Sequence, residues 1–385
     1  MKKMKKFDVV IIGAGSIGVP LSFYLANRGV KVAVIEKLPS TGRGQNRAAI
    51  GGIRATFSDP AKIKICQQTI EIMKNMKAEH GFDVDWIAGG YLYPAFDEKT
   101  EIAFKQLIDF QKQFNLNNRW ITPGEIDRLV PGINRENLRG GNFSEEDGSA
   151  SPLKTIAAFT LLSHQRGTEF FFNEDVHSMK IEKRKIISVE TSRDVYSAGL
   201  FINAAGADAK SIGALAHADI PIYTDCHEAG VTEPVQRFFE PMIVDIRPDG
   251  NSSNYYFYQN AEGQVVFCIT PEPKILGTDI DNTSTFLPLV VKRMVQLYPR
   301  LRHLRVRRTW RGLYPTTPDG FPIVGFTKEV ENFFLTVGMC GQGFMIGPGL
   351  GKIVSEILVD KTNRHDEILM QLTLYRKFTG SEMLK

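Results

Sequence analysis

Cysteine is scarce in this sequence: Cys66, Cys226, Cys268 and Cys340 lie far apart among 385 residues, with no CxxC pair. That argues against a disulfide framework and a zinc knuckle, and it fits a reducing compartment. No run of about 20 apolar residues occurs, so no membrane span is expected. HExxH, paired histidines and carboxylate clusters are missing, so no metal site is expected. No Ser/His/Asp or Cys/His arrangement points to nucleophilic catalysis. Charge of one sign is also lacking: 47 basic against 43 acidic residues give +4. No dense Lys/Arg stripe is expected beyond the start Met1–Lys6, and nothing points to nucleic acid. That start, followed by Phe7–Ile12, has the outline of a secretory leader. Asp8 and the glycines after Ile12 make a poor leader helix, however, and no small-residue cleavage site follows. A cytoplasmic location is expected.

What is present is 43% apolar residues, 25 Phe and 34 Gly. This composition can bury a large core, and the length predicts two domains. The glycines are unevenly placed. Phe7–Ile12 is a short apolar, β-branched run, the pattern of a buried parallel strand. Gly13-Ala14-Gly15-Ser16-Ile17-Gly18 follows it and matches G-x-G-x-x-G. Pro20–Gly29 has helical spacing with Gly29 as the stop. Val30–Ile35 is a second strand, ended by Glu36, 18 residues after Gly18. In such a unit Gly13 permits the tight turn, Gly15 the approach of a pyrophosphate, and Gly18 close helix–strand packing. The helix N-terminus faces the phosphates, and Glu36 accepts from a ribose diol. A glycine-rich turn without a ligand is the competing reading, and the full strand–turn–helix–strand–acid arrangement speaks against it.

The cofactor is then NAD or FAD. An NAD enzyme starts its second helix soon after the acid, whereas here Lys37–Arg47 is a long polar loop. It runs into Ala48-Ala49-Ile50-Gly51-Gly52-Ile53-Arg54. Closely approaching backbone at Gly51 and Gly52 suits a flat ring system, which favours FAD. Two later segments repeat the theme. Leu200–Asp208 is a strand ending in Ala204-Ala205-Gly206, which lets a dinucleotide abut the strand end. It follows a strand over Glu169–Glu174 and a hairpin of Asp175–Glu182 with Lys185–Thr191. Phe333–Val337 is a strand followed by a glycine-rich loop, Gly338–Gly349, and a helix over Leu350–Val359. The backbone after Gly338 can face the polar edge of a flavin.

These residues together resemble the D-amino-acid-oxidase/sarcosine-oxidase family of FAD-dependent amine oxidoreductases. The resemblance rests on Gly13–Gly18 with Glu36, Asn203-Ala-Ala-Gly206, Trp310-Arg-Gly-Leu-Tyr-Pro-Thr-Thr-Pro-Asp-Gly320 and Gly341-Gln-Gly-Phe344. It covers essentially the whole chain and is strongest toward the β subunits of dye-linked L-proline dehydrogenase and heterotetrameric sarcosine oxidase. It implies an α/β fold of the glutathione-reductase-like FAD/NAD(P)-binding type. A Rossmann-like, doubly wound FAD-binding domain would be joined to a mixed-β-sheet (α+β) substrate domain. The expected division is 1–85, 143–220 and 315–385 for FAD, and 86–142 and 221–314 for substrate.

Residue by residue, the resemblance puts the ribose acid on Glu36 with Lys37 beside it, and the adenine contact near Val176. Isoalloxazine contacts fall on Arg47, Ala48, Ala49, Ile50, Gly51 and Gly52, and on Gly341, Gln342, Gly343, Phe344 and Met345. Ala205, Gly206, Gly312 and Gly338 complete the cofactor set. Relatives that attach FAD through a cysteine before the Thr-Pro-Asp stretch have it where this chain has Arg311-Gly312-Leu313, so noncovalent FAD is expected. The lysine that promotes reaction with O2 is missing from Gln264–Ile269, which favours a dehydrogenase using another acceptor. The carboxylate-binding positions of relatives are Tyr314 and Met345 here, leaving Arg54 and Arg311 as candidate cations. Tyr256, Tyr258 and Tyr314 are candidate pocket tyrosines, although such alternation also serves sheet packing. His227 is read as a loop residue, more plausibly structural than an acid/base.

The implied reaction is oxidation of the Cα–N bond of a small amino acid of the proline, sarcosine, glycine or opine type. A hydride equivalent passes to flavin N5 and electrons go on to an acceptor other than O2. Two alternatives stand beside it. One is a β subunit active only with a partner, and the other a 2-hydroxy acid or glycerol-phosphate oxidoreductase of the same fold.

Overall fold

The computed structural model describes residues 3–360, 363–380 and 382–384; Met1 and Lys2 of the basic start lie outside these. The first sheet has the order Ile323–Phe326, Phe333–Val337, Val195–Asn203, Met4–Ile12, Val32–Glu36, Glu169–Phe172, with the hairpin Val176–Glu182/Lys185–Thr191 attached to Val195–Asn203. From Phe333–Val337 to Glu169–Phe172 the neighbours are parallel. Val9–Ile12 at its centre is fully buried, because helices cover both faces and leave no polar side for alternation. Gly18–Ala26, Pro60–His80 and Gly343–Ser355 pack on one face, and Ala209–Leu215 on the other.

The second sheet has the order Val306–Thr316, Tyr223–Thr232, Val265–Pro271, Ser252–Gln259, Met242–Asp245, Tyr91–Ala95, Gly140–Ser144, Asn118–Ile121. All neighbours are antiparallel except Met242–Asp245 with Tyr91–Ala95, so this sheet is mixed. One face packs on the helices Pro123–Leu129 and Phe286–Leu297, with Tyr255, Phe257 and Phe267 in the core between. The opposite face carries Tyr91, Tyr93, Tyr256, Tyr258, Val266 and Trp310. Period-two alternation separates the two sets along each strand. Among the described residues no helix is long and apolar enough to cross a membrane.

Three local expectations are corrected. The helix after Phe333–Val337 starts at Gly343, not Leu350, and contains Pro348. Its glycines serve close packing rather than loop flexibility: a Cβ at Gly347, Gly349 or Gly351 would fall 1.9, 2.1 or 2.8 Å from backbone of Ser16, Ile65 or Leu21. His227 sits inside the strand Tyr223–Thr232, not on a loop. Its charged neighbours Asp225 and Glu228 hide the strand pattern in the sequence. Arg300–Arg308 carries five arginines, a basic stripe that interleaved Leu301, Leu304 and Val306 obscure.

Candidate functional site

The chain leaves the Met4–Ile12 strand at Gly13, whose φ is +109° and where a Cβ would lie 2.5 Å from the carbonyl oxygen of Ala204. Only glycine fits a backbone turn pressed against a second strand end. A Cβ added at Gly15 would meet no atom within 4 Å, so this residue faces open space. Behind it the helix Gly18–Ala26 has no side-chain cap, and neither has Gly343–Ser355, whose first residue approaches Ser16. Two uncapped helix N-termini beside open space leave backbone N–H groups for an anionic ligand. Glu36 closes this end. Its carboxylate accepts from the N–H of Ala14 at 2.8 Å and of Leu38 at 2.9 Å. Each oxygen keeps acceptor capacity for a sugar hydroxyl. Lys37 pairs with Asp208 at 2.6 Å across the strand ends, beside Ala205 and Gly206. Val176 is buried at the start of its strand, where Glu174 N–H donates to the Glu36 carbonyl. The residues fit a dinucleotide here.

The Arg47–Gly52 segment is held by the second sheet. Trp310 Nε1 donates to Ala48 O at 2.8 Å, Tyr258 Oη to Ile50 O, and Leu313 N–H to Gln45 Oε1 at 2.7 Å. A Cβ on Gly312 would lie 2.8 Å from Ala48 Cβ, so the strand needs its glycine for this approach. A cleft of about 210 Å³ leads in beside this segment, lined by Arg47, Ile50, Tyr258, Val266, Arg308 and Trp310 among others.

Farther along the same strand, the Tyr314 ring lies against Gly341, whose φ is +81°. It stacks on His227 with centroids 3.8 Å apart and planes 10° from parallel. Its hydroxyl meets that of Tyr256 at 3.0 Å. Burial pushes both phenols well above their usual range, so both stay protonated. His227 Nε2 lies 3.2 Å from Asp225 Oδ2, while its Nδ1 is buried without a partner. The side-chain oxygen of Gln342 is likewise buried and unpartnered. In the same turn Gly338 is pressed on Thr317, Phe344 is buried, and Met345 O accepts from Cys66 Sγ.

The two arginines are not brought together. Arg311 lies on the opposite face of its strand from Trp310 and Tyr314, beside Glu228. It donates to Asp279 at 2.9 Å and to Asp281 O at 3.3 Å, and its Nε is buried and unpartnered. Arg54 is buried 3.8 Å above the Phe57 ring and within 5.9 Å of the Tyr93 ring, donating to the carbonyls of Thr56 and Leu384. Thus Arg54, not Arg311, lies toward the tyrosine-bearing side of the second sheet. Sequence reasoning missed Gln45 and Trp310 as supports of the loop. Trp310 was accessible to it: four residues from Tyr314 in one strand, it must share that face. It also missed the buried group of Lys62, Asp147 and Glu382 around Arg54, for which no local signal exists.

The profile of a family described as FAD dependent oxidoreductase matches residues 8–357. The chain is 23% identical over 370 residues to the sarcosine oxidase subunit beta of Rhodobacter capsulatus, covering 92% of this chain and 85% of that one. It is 23% identical over 372 residues to the mitochondrial sarcosine dehydrogenase of Mus musculus, covering 91% of this chain but spanning 39% of that protein's length. Among solved structures, L-proline dehydrogenase from P. horikoshii superposes with a TM-score of 0.90 at 29% identity, covering 98% of both chains.

Proposed function

This chain belongs to the FAD dependent oxidoreductase family, and we propose that it oxidises the Cα–N bond of a small amino acid, passing electrons to an acceptor other than O2. Its fold is the two-sheet α/β fold of that family and its cofactor is FAD. Bound FAD supplies the two-electron sink that takes a hydride equivalent from the substrate carbon. Gly13–Gly18 and Glu36 would hold the dinucleotide end, and Arg47–Gly52 with Gly341–Met345 the ring end, bound noncovalently.

The observation that carries the reading is the Tyr256–Tyr314 hydroxyl pair set against the Gly341 turn, on the face of the second sheet that holds the Arg47–Gly52 loop. Two neutral phenols can donate to a carboxylate and accept from an amine, orienting a zwitterion-sized substrate without a charged base. An amine bound neutral needs no protein base, and His227 stacked on Tyr314 fixes that ring rather than taking a proton. Arg54 is the better-placed carboxylate partner: it lies on the side of the sheet that bears Tyr93, and a guanidinium has five N–H donors, more than its bonds to the Thr56 and Leu384 carbonyls use. Tyr258 is committed to the Ile50 carbonyl and acts by positioning the loop. Likeness to proteins named L-proline dehydrogenase and sarcosine oxidase subunit beta supports a secondary amino acid as substrate. The second of those names also supports function beside a partner subunit.

The test is anaerobic bleaching of the flavin band at about 450 nm, scanned over L- and D-proline, sarcosine, glycine and glycerol phosphate. Bleaching by an amino acid, with slow reoxidation in air, is expected. Bleaching by glycerol phosphate alone would overturn the amine reading, and rapid reoxidation in air would overturn the acceptor reading.

A further inference from the structure

The second sheet ends on Val306–Thr316, which pairs only with Tyr223–Thr232 and so is an edge strand. Arg300, Arg302, His303 and Arg305 lead into it, Arg307 and Arg308 lie at its start, and all six are exposed. Their side chains reach the carbonyls of Pro131 and Pro299, the Tyr298 hydroxyl and the rings of Phe238 and Trp310, and Arg305 O accepts from Glu233 N–H at 2.9 Å. Among the described residues none of the six pairs with a carboxylate. Like charges gathered on one ridge repel one another, and among the described residues no paired carboxylate offsets this. Segment 279–283 covers the strand's outer edge at Thr309–Arg311, where Asn282 Nδ2 donates to Thr309 O at 3.2 Å. Among the described residues no second segment hydrogen-bonds to the backbone of residues 306–308, and an open strand edge is itself a pairing surface.

The ridge borders the cleft. Arg308 lies on its wall, and Trp310, about 7 Å farther along the strand, holds the loop proposed to carry the flavin ring. We propose that Arg300–Arg308 is the docking surface for an acidic protein that carries the electron acceptor. The proposal rests on the reading that electrons leave to an acceptor other than O2. Arginine suits a protein interface, being planar, weakly hydrated and able to pair bidentately with carboxylates. A nucleic acid would draw on the same charge but has no use for a position beside a redox cleft.

The FAD-loaded enzyme is reduced with L-proline and given rubredoxin, a small acidic iron protein, or a basic c-type cytochrome over a salt series. R302E/R305E/R307E is compared with the wild type, and R302K/R305K/R307K serves as the charge-preserving control. Wild type and the lysine variant should reduce rubredoxin with kcat/KM falling as salt rises. The glutamate variant should lose at least about tenfold at low salt, converge at high salt, and gain on the cytochrome. Flavin bleaching should be unchanged in all three, which separates failure of this proposal from failure of the oxidation chemistry. Rubredoxin reduction indifferent to the glutamate variant or to salt overturns it. So does wild-type binding to duplex RNA or anionic phospholipid vesicles that is tighter than to rubredoxin and lost in that variant.

Discussion

Replacing Gly341 by alanine probes the contact on which the proposed substrate face depends. An added Cβ would lie 2.1, 2.3 and 2.6 Å from three atoms of the Tyr314 ring, at a φ of +81°. The ring has little room to retreat, because it stacks on His227 at 3.8 Å and its hydroxyl is tied to Tyr256 at 3.0 Å. Two costs add. A left-handed alanine costs about 1–2 kcal/mol for its backbone alone, and forcing a methyl into a packed contact costs about 1–3 kcal/mol more. A double-mutant cycle separates them. Gly341→Ala should destabilise the wild type by about 2–5 kcal/mol but Tyr314→Ala protein by only the backbone share, so the coupling is about 1–3 kcal/mol. The assay is denaturant unfolding of the FAD-loaded protein, followed by flavin fluorescence as well as circular dichroism so that separate unfolding of the two sheets is detected. An equal cost in both backgrounds would refute the steric argument, and with it the claim that Tyr314 is fixed on this turn.

Trp310→Phe removes the indole bond to Ala48 O and should weaken FAD binding by about 1 kcal/mol, up to fivefold in dissociation constant by titration of apoprotein; unchanged affinity would free the loop from the ring-binding role. Lys62, fully buried, pairs with the equally enclosed Glu382 at 3.6 Å. Lys62→Met should therefore cost about 3–5 kcal/mol in unfolding, and Lys62→Met/Glu382→Leu should recover most of it. Asp147 is buried, which pushes its carboxyl up to about 6 against the pull of its bonds from Ala55 N–H and Thr56 Oγ1. A raised acid stabilises the fold fully below its unfolded value near 3.8 and loses that contribution as pH rises through about 6. Asp147→Asn should accordingly flatten the unfolding-midpoint curve between about pH 4 and 6, a span worth about 3 kcal/mol, and an unchanged slope would contradict the assignment. Acid precipitation should release all flavin to the supernatant; yellow colour retained in the pellet would show a covalent link.

The dinucleotide unit was readable because its signals are local: strand, glycines, helix and acid fall within Phe7–Glu36, where each residue's neighbours in sequence are its neighbours in space. The same residue type misled at Gly343–Gly351. There glycine marks close helix packing on Ser16, Ile65 and Leu21, contacts more than 270 residues away in the chain that no window of sequence contains. His227 escapes a sequence reading for a related reason: its strand is buried on both faces, and partners distant in sequence, Ile275 N–H for Asp225 and Thr283 for Glu228, let it carry acids where alternation predicts apolar residues. The two arginines show the limit most clearly. As residue types they were equivalent carboxylate partners, and strand parity alone was enough to turn Arg311 away once Tyr314 was set on the other face. Nothing comparable was available for Arg54. Its surroundings are assembled from Phe57, Tyr93, Asp147 and the Glu382–Leu384 segment, four stretches whose meeting is a property of the whole fold. The fold has already stripped this guanidinium of water while it keeps its charge, so in the proposed role the desolvation left to offset is that of the incoming carboxylate. Arg54 therefore gains its proposed role from packing rather than from any motif.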